Sequence, residues 1–237
     1  MLYRADLHIH TVLSPCGSLE MSPKRIVDEA LAKGLSIIAI TDHNSTMQCK
    51  AVMEIGQERG LWVIGGAEIN TREEIHCLTL FENLEMLEQF QEYMDKYLPN
   101  IPNNPDKFGH QVWVNSEEEI EGIEERLLLS ALEQSIDEVE QKVHSLGGLF
   151  IPAHVDKQMY SVFANLGFIP PSLKCDAIEV SANVKQNFIE TNRIKDKYHI
   201  ITSSDAHYPE QIGTNSTILK MENTTFDELR KSLNYLH

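Results

Sequence analysis

Short apolar runs and amphipathic stretches alternate along most of the chain. The runs 35–41, 61–67 and 148–153 are almost continuous Ile, Val, Leu and Ala, which is typical of strands covered on both faces. Between the runs, apolar residues such as Ile26 and Ala30 recur at helical spacing. Strands that alternate with helices over short connections predict parallel β/α units. The pattern therefore predicts an α/β protein built as one barrel, for which 237 residues are enough.

One segment interrupts this alternation. Residues 99–130 begin with a loop rich in Pro and Asn, and the stretches 111–114 and 119–123 predict a small hairpin. We predict a single barrel domain over residues 1–237 with an insertion at about 99–130, which has three open interpretations: a lid, a dimer contact, or a solvated elaboration without a role. The elements predicted after it are strands 148–153, 177–180, 199–203 and 216–220 and helices at about 131–146, 158–166, 186–195 and 225–236.

Polar side chains occupy the end of the first apolar run, in the stretch Asp6-Leu7-His8-Ile9-His10. Side chains of a strand alternate between its faces, so His8 and His10 point the same way, about 7 Å apart, with Asp6 on the same side. Two imidazoles in this arrangement form half of a metal site. The remaining ligands must come from other parts of the chain.

Other apolar runs also end in imidazole or carboxylate groups. These residues are Asp42, His43, Glu68, His154, Asp205 and His207, and His76 lies inside a further short apolar segment. In β/α barrels the carboxyl ends of the strands gather at one mouth, so we expect these side chains to converge. Imidazole and carboxylate ligands without a thiolate cluster favour zinc, manganese or iron over calcium.

The net charge of -16 limits the partners that we expect. A surface this acidic repels phosphate backbones, which argues against an extended nucleic-acid surface and favours small substrates. One phosphate held by metal ions is compatible with this charge, because bound cations offset acidic groups locally.

The composition favours a cytoplasmic protein without membrane association. No apolar run approaches the roughly 18 residues that span a bilayer, and the N-terminus leads directly into the first predicted strand rather than into a signal peptide. The cysteines, at Cys16, Cys49, Cys77 and Cys175, include no C-x-x-C pair, so we expect reduced thiols. The oligomeric state is left open.

Six motifs taken together resemble the PHP (polymerase and histidinol phosphatase) family over about residues 3–215. They are Asp6-Leu-His8-Ile-His10-Thr11, Ile40-Thr41-Asp42-His43-Asn44, Gly66-Ala67-Glu68-Ile69, His76-Cys77-Leu78, Pro152-Ala153-His154 and Ser203-Ser204-Asp205-Ala206-His207. Each motif alone is weak, whereas six in this order form a specific signal. The resemblance implies a distorted (β/α)7 TIM-like barrel that hydrolyses phosphoesters at two or three divalent metal ions.

The resemblance also implies which residues hold each metal. The first metal would bind His8, His10, Glu68 and Asp205, a second would bind Glu68, His76 and His154, and a third would lie between His43 and His207. The loop expected to complete the third site departs from the family pattern, because Ser-Asp-Gly is replaced by Ser14-Pro15-Cys16-Gly17. Cys16 as a soft ligand, Glu20 reaching in, and a weak site are the open alternatives.

The implied reaction is hydrolysis of a phosphoester in a small phosphorylated metabolite or a short nucleotide, by a water that two metals share and deprotonate. Arg72 and Lys157, which follow Glu68 and His154 in the sequence, are the candidate phosphate-binding residues. Asp42 is expected to orient a metal ligand. The alternatives are a metal-dependent amide or ester hydrolase and a non-catalytic metal-binding scaffold.

Overall fold

Strands and helices alternate through most of the structure, a computed structural model that describes residues 1–233. The strands are β1 (Leu2–Ile9), β2 (Ile37–Ile40), β3 (Trp62–Asn70), β4 (His76–Phe81), β5 (Val112–Val114), β6 (Ile120–Ile123), β7 (Leu149–Pro152), β8 (Ile178–Glu179), β9 (Ile200–Ile201) and β10 (Thr217–Lys220). The helices are α1 (Pro23–Ala32), α2 (Cys49–Arg59), α3 (Leu84–Tyr97), α4 (Pro105–Phe108), α5 (Ile136–Ser145), α6 (Val162–Leu166), α7 (Gln186–Thr191) and α8 (Phe226–Leu233). The predicted end of the last helix, at residues 234–236, lies outside the described residues.

The strands curve into a distorted barrel. Six of them form one sheet in the order β10-β1-β2-β3-β4-β7, and β8 pairs with β9 in a separate parallel sheet. Backbone hydrogen bonds join the two sheets: the Val155 N–H donates to Glu179 O at 2.9 Å, and the His10 N–H donates to Ala206 O at 3.0 Å. The strands β1, β2, β3, β4, β7, β8 and β9 therefore follow one another around the barrel, which confirms the predicted distorted (β/α)7 fold.

One barrel strand, β4, runs against its neighbours. It pairs antiparallel with β3, where Asn70 lies opposite His76, and antiparallel with β7. The sequence pattern predicted parallel units throughout. However, the turn 71–75 is too short for a crossover and permits only a hairpin. Because β4 is reversed, its first residue lies at the mouth where the neighbouring strands end, and His76 reaches the same end of the barrel as Glu68.

Both faces of the sheet are buried, as the continuous apolar runs predicted. Ile38 and Ile40 of β2 belong to a large apolar cluster with residues of α1, α2, α3 and α5. Ile37 and Ala39 of the same strand belong to a second cluster that includes Leu229 of α8. Alternate residues of β2 thus pack in different clusters, which fixes the direction in which the polar residues after the strand point.

Local sequence sets where the helices begin. Ser22 precedes Pro23, the first residue of α1, where the fixed φ of proline suits a helix start. A capping box starts α5: the Ser135 hydroxyl accepts from the Glu138 N–H, and the Glu138 carboxylate accepts from the Ser135 N–H. This cap places the first residue of α5 at Ile136, later than the predicted start at residue 131.

The 99–130 segment contains the predicted hairpin, formed by β5 and β6. The Gln48 amide anchors the hairpin by exchanging two hydrogen bonds of 2.9 Å with the backbone of Val114. Asn44 Nδ2 donates to Leu128 O and Ser130 O, each at 2.8 Å. The segment is therefore tied to the residues that follow β2 at the barrel mouth. Its role and the single-domain division stay predictions.

Candidate metal centre

His8 and His10 lie at the end of β1, where both side chains are completely buried. Their ring centroids are 5.2 Å apart, and the planes are tilted by 47°. This tilt brings the two Nε2 atoms to 3.2 Å from each other. The two imidazoles therefore face a common point at the mouth of the barrel.

Two carboxylates complete a cage around these nitrogen atoms. Glu68 Oε1 lies 3.4 Å from His8 Nε2, and Glu68 Oε2 lies 3.4 Å from His10 Nε2. Asp205 Oδ1 lies 3.4 Å from both nitrogen atoms. Four ligands placed tetrahedrally about 2.0 to 2.1 Å from a metal are separated by about 3.3 to 3.4 Å. This group of four residues, which we call the ligand cage, therefore has the dimensions of a metal site.

Hydrogen bonds behind the two rings leave both Nε2 atoms available to a cation. His8 Nδ1 donates to Glu179 Oε2 at 3.0 Å. His10 Nδ1 donates to Ser14 Oγ at 3.0 Å, because the Ser14 hydroxyl itself donates to Asp42 Oδ1 at 2.6 Å. In the neutral rings each Nε2 then carries a lone pair, and two lone pairs 3.2 Å apart repel unless a cation lies between them. The donor set therefore fits a divalent metal.

Asp42 fixes the loop that follows β1. Its carboxylate accepts hydrogen bonds from the backbone N–H and the hydroxyl of Thr11, both at 2.7 Å, and from the Ser14 hydroxyl. Burial raises the pKa of Asp42, although His10 and these hydrogen bonds oppose the shift. Asp42 is 1% exposed, and Ser14 connects its carboxylate to His10. Its role in orienting a metal ligand stays a prediction.

A second group of donors shares Glu68 with the cage. His76 Nδ1 lies 2.9 Å and His154 Nε2 lies 3.1 Å from Glu68 Oε1. His43 Nδ1 lies 3.2 Å from Glu68 Oε2 but lacks the alignment of a hydrogen bond, and within the described residues this buried atom has no hydrogen-bond partner. Buried polar atoms are rarely left unpaired, so a metal ligand explains His43 better than a core histidine does.

A third group of donors includes a thiol. It consists of Cys16, His10, His43 and His207, in which one ligand atom of each residue lies within 4.8 Å of the others. Glu20, the alternative ligand suggested by the sequence, is exposed and does not belong to this group. Burial raises the pKa of Cys16 far above its ordinary value, and the nearby carboxylates of Glu68 and Asp42 raise it further.

Carboxylates and imidazoles in the ligand cage change one another's pKa. Burial lowers the pKa of His10, but hydrogen bonds with Asp205 and Glu68 outweigh burial and raise it to about 9. Burial raises the pKa of Glu68, whereas His76 and His8 outweigh burial and hold it well below its usual range. The cage therefore attracts protons to the same nitrogen atoms that a metal would take, and metal binding must release them.

Part of the strained backbone lies at the barrel mouth, at three of the seven non-glycine residues among 1–233 that have positive φ values. His154, Tyr160 and Asp205 adopt positive φ values of 30°, 55° and 53°. These values are costly for residues other than glycine, and they persist where the surrounding structure fixes them, often at functional sites. Two of the three strained residues are donors around Glu68 or in the cage.

An open cleft of about 440 Å³ lies over the donors. Lys157 lines the cleft, and its Nζ donates to Asp205 Oδ2 at 2.6 Å. Tyr160 also lines it, with one ring face stacked on His76 at a centroid distance of 4.7 Å and with 42% of the residue exposed. A cation and an aromatic ring therefore stand at the rim of the metal centre.

Arg72, the other candidate phosphate-binding residue, does not reach the cleft. Its guanidinium Nη2 lies 3.9 Å from Glu138 Oε2, and the side chain is 60% exposed. The turn after β3 directs it away, since the Arg72 N–H donates to Gln134 O at 2.8 Å. The structure does not support the predicted role of Arg72, because closeness to Glu68 in sequence does not bring the two side chains together.

The sequence pattern did not predict a role in the site for three residues: Glu179, Ser14 and Tyr160. Glu179 ends a short apolar run in the same way as Glu68, and this signal was available in the sequence. Ser14 and Tyr160 lie in irregular loops. Their roles depend on contacts that residue spacing does not encode.

A comparison with family models identifies the kind of protein that carries this site. The model described as PHP domain matches residues 6–235, which is nearly the whole chain. The chain belongs to the PHP domain family. The resemblance inferred from the six motifs is therefore confirmed.

Two relatives extend this comparison. The uncharacterized protein YqxK of Bacillus subtilis (strain 168) is 24% identical over 260 residues, which cover 97% of this chain and 61% of YqxK. The crystal structure of a candidate metal-dependent phosphoesterase from Bifidobacterium adolescentis gives a TM-score of 0.66 at 20% identity and covers 97% of this chain and 95% of that one. This structural likeness supports the barrel fold.

Endonuclease Q has the same fold in two crystal structures. The lesion-specific endonuclease PfuEndoQ from Pyrococcus furiosus gives a TM-score of 0.75 at 20% identity, over 99% of this chain and 56% of that one. A complex of endonuclease Q with a 27-mer duplex that has an abasic lesion at the active site gives a TM-score of 0.73 at 19% identity, again over 56% of that chain. This PHP domain thus spans little more than half the length of these proteins.

The DNA complex overturns one expectation from the sequence. We expected a small phosphorylated substrate and no nucleic-acid surface, whereas a protein with this fold holds duplex DNA at its active site. The expectation was wrong because it rested on net charge. Net charge averages over the whole surface, whereas binding depends on the local field at a site where metal ions and a lysine offset the acidic groups.

The family match and the phosphoesterase fold confirm the prediction of a metal-dependent hydrolase domain of the PHP type. The number and identity of the metals stay predictions, as does the cytoplasmic location. Among residues 1–233, no helix combines the length and the apolar character needed to cross a membrane.

Proposed function

We propose that this PHP domain hydrolyses phosphodiester bonds in a nucleic-acid strand. The observation that carries the proposal is the ligand cage at the floor of an open cleft, with the cation of Lys157 and the ring of Tyr160 at its rim. A cation beside a metal centre suits a phosphate, and an exposed ring suits a base. The DNA held by endonuclease Q supports the same class of substrate.

The ligand cage would hold one metal, and His76 and His154 with Glu68 would hold another. Zinc, manganese and iron all suit these imidazole and carboxylate groups. When bound, such metals supply a nucleophilic water at neutral pH and offset the charge on the phosphate oxygens. Glu179 and Ser14 keep the two cage imidazoles oriented, because each accepts the Nδ1 proton of one ring.

Lys157 would hold a substrate phosphate. Burial lowers its pKa, but the carboxylate of Asp205 outweighs burial and raises it, so the ammonium group stays charged. The side chain is 43% exposed, which leaves part of the ammonium group open to the cleft. A non-bridging phosphate oxygen can accept from that side while Asp205 keeps the ammonium group oriented.

Tyr160 provides the stacking surface for a base next to the scissile phosphate. One ring face is covered by His76, and the other is open toward the cleft. Stacking of a base on an aromatic side chain contributes about 1 to 3 kcal/mol. Binding by one phosphate and one or two bases requires no basic groove, so the proposal is compatible with the net charge of -16.

End-labelled oligonucleotides test the proposal. Wild type is expected to cleave at least one substrate among a single strand, a duplex and a duplex with an abasic site, only with an added divalent metal. Tyr160→Leu is expected to raise KM for that substrate about 5- to 150-fold, the equivalent of one stacked base, with a smaller change in kcat. Tyr160→Phe keeps the ring and is the matched control.

One result would contradict the nucleic-acid substrate, and another would contradict stacking by Tyr160. Metal-dependent turnover of a generic phosphodiester without cleavage of any oligonucleotide would leave a phosphoesterase and exclude the nucleic-acid substrate. An equal rise in KM for Tyr160→Leu and Tyr160→Phe would show that Tyr160 does not act by stacking.

A further inference from the structure

We infer that Cys16 is a metal ligand and that it forms, with His43 and His207, a thiolate-containing metal site beside the ligand cage. The family pattern leads to a loop carboxylate at this place. In the described chain, the group of donors around His43 and His207 contains the Cys16 thiol instead of a carboxylate. Because Cys16 replaces the carboxylate of the family pattern, we expect the metal preference of this site to differ from that of a carboxylate site.

The loop after β1 is built to hold Cys16 in place. Its Gly17 N–H donates to Ser14 O at 2.9 Å, and the Ser18 N–H donates to His207 O at 2.8 Å. A Cβ atom on Gly17 would lie 2.3 Å from the carbonyl oxygen of Thr11, so only glycine permits this close turn. The loop around Cys16 is therefore held by one hydrogen bond to Ser14, at its own start, and by another to the backbone of His207.

The two histidines each have a ligand atom within 4.8 Å of that of Cys16. His207 Nδ1 donates to Asp205 O at 2.8 Å, which leaves a lone pair on Nε2. His43 is 5% exposed, and its Nδ1, which lies 3.2 Å from Glu68 Oε2, has no hydrogen-bond partner among residues 1–233. His10 belongs to the same group, with ring centroids 4.4 Å from His207 and 4.6 Å from His43. However, both nitrogen atoms of His10 are already engaged by Ser14 and the cage.

Three protein ligands therefore remain: one thiol and two imidazoles. Soft thiolate ligands select zinc over manganese, whereas a carboxylate in the same place would favour the harder ion. Metal binding replaces the thiol proton, which leaves to solvent, and forms a metal–sulfur bond. We expect this site to prefer zinc or cobalt even when the carboxylate-rich cage accepts manganese.

Cobalt binding tests the inference without any substrate, so its outcome is separate from that of the proposed function. Metal-free protein is titrated with Co²⁺, while absorption is recorded and bound metal per chain is measured. Wild type is expected to show a thiolate-to-cobalt charge-transfer band in the near ultraviolet. Cys16→Ala is expected to lose the band and to bind one metal fewer per chain. Cys175→Ser removes a thiol outside the group and should keep both.

Cys16→Asp restores the family carboxylate and guards against a loss of fold in the alanine variant. It is expected to bind as many metals as wild type without the charge-transfer band, and to shift the competition between zinc and manganese toward manganese. Absence of the band in wild type, or its persistence in Cys16→Ala or Cys16→Asp, would overturn the inference. An unchanged number of metals in a folded Cys16→Ala protein would overturn it as well.

Discussion

Replacement of Glu68 by glutamine is expected to lower phosphodiester hydrolysis by at least about 1,000-fold. A loss of this size is the upper end of what removal of one donor from a catalytic site costs. Glu68 Oε1 lies within 3.4 Å of His8 Nε2 and 2.9 Å of His76 Nδ1, and Oε2 lies 3.2 Å from His43 Nδ1. Both oxygen atoms therefore face the proposed metal centre. An amide replaces one of them with an NH2 group that cannot bind a metal, and it also removes the negative charge.

The control for this variant is Glu58→Gln, an exposed glutamate on α2. It changes the net charge by the same amount and is expected to keep wild-type activity. Metal analysis of both proteins links the effect to its cause, because Glu68→Gln should also bind fewer metals per chain. A folded Glu68→Gln protein with activity within about tenfold of wild type would contradict the bridging role of this carboxylate.

Glu179→Ala is expected to reduce metal affinity or activity about 10- to 100-fold, although Glu179 lies outside the ligand cage. Its Oε2 atom accepts from His8 Nδ1 at 3.0 Å and from the His154 N–H at 3.1 Å. Glu179 thus fixes the ring of one cage residue and the strained backbone of another donor. Loss of the carboxylate frees His8 to rotate and to take the other tautomer.

Glu179→Gln separates hydrogen bonding from charge. Its amide oxygen can still accept the His8 proton, so this variant is expected to lose less activity than Glu179→Ala. Glu190→Gln, on the exposed side of α7, is the matched surface control. Equal activity of Glu179→Ala and wild type over a range of metal concentrations would show that orientation of His8 does not limit the reaction.

The convergence of the proposed ligands followed from the sequence because each is a polar residue beside a buried apolar run. Carboxyl ends of neighbouring strands meet at one mouth, so Glu68 and His154 had to lie near His8 once the barrel was inferred. His76 lies at the same mouth because it is the first residue of β4, which runs antiparallel to β3. The direction of β4 depends on the short turn before it, which the apolar pattern does not reveal.

Contacts beyond the strand ends were harder to infer. Glu179 meets His8 across 171 residues, and no local spacing links the two. Arg72 is the opposite case: it is near Glu68 in sequence, but its side chain points toward Glu138. Side-chain direction in a turn is set by the backbone hydrogen bonds of that turn, and these become known only with the fold.

Removal and restoration of the metal test most directly whether hydrolysis depends on the proposed metal centre. The purified protein is assayed with a labelled oligonucleotide before and after chelation, and again after zinc or manganese is returned, with bound metal per chain measured in each sample. Activity is expected to disappear on chelation and to return as at least two metals bind per chain. Activity that survives complete metal removal, or a metal-loaded protein with no hydrolysis of any phosphodiester, would contradict the proposed metal-dependent hydrolysis.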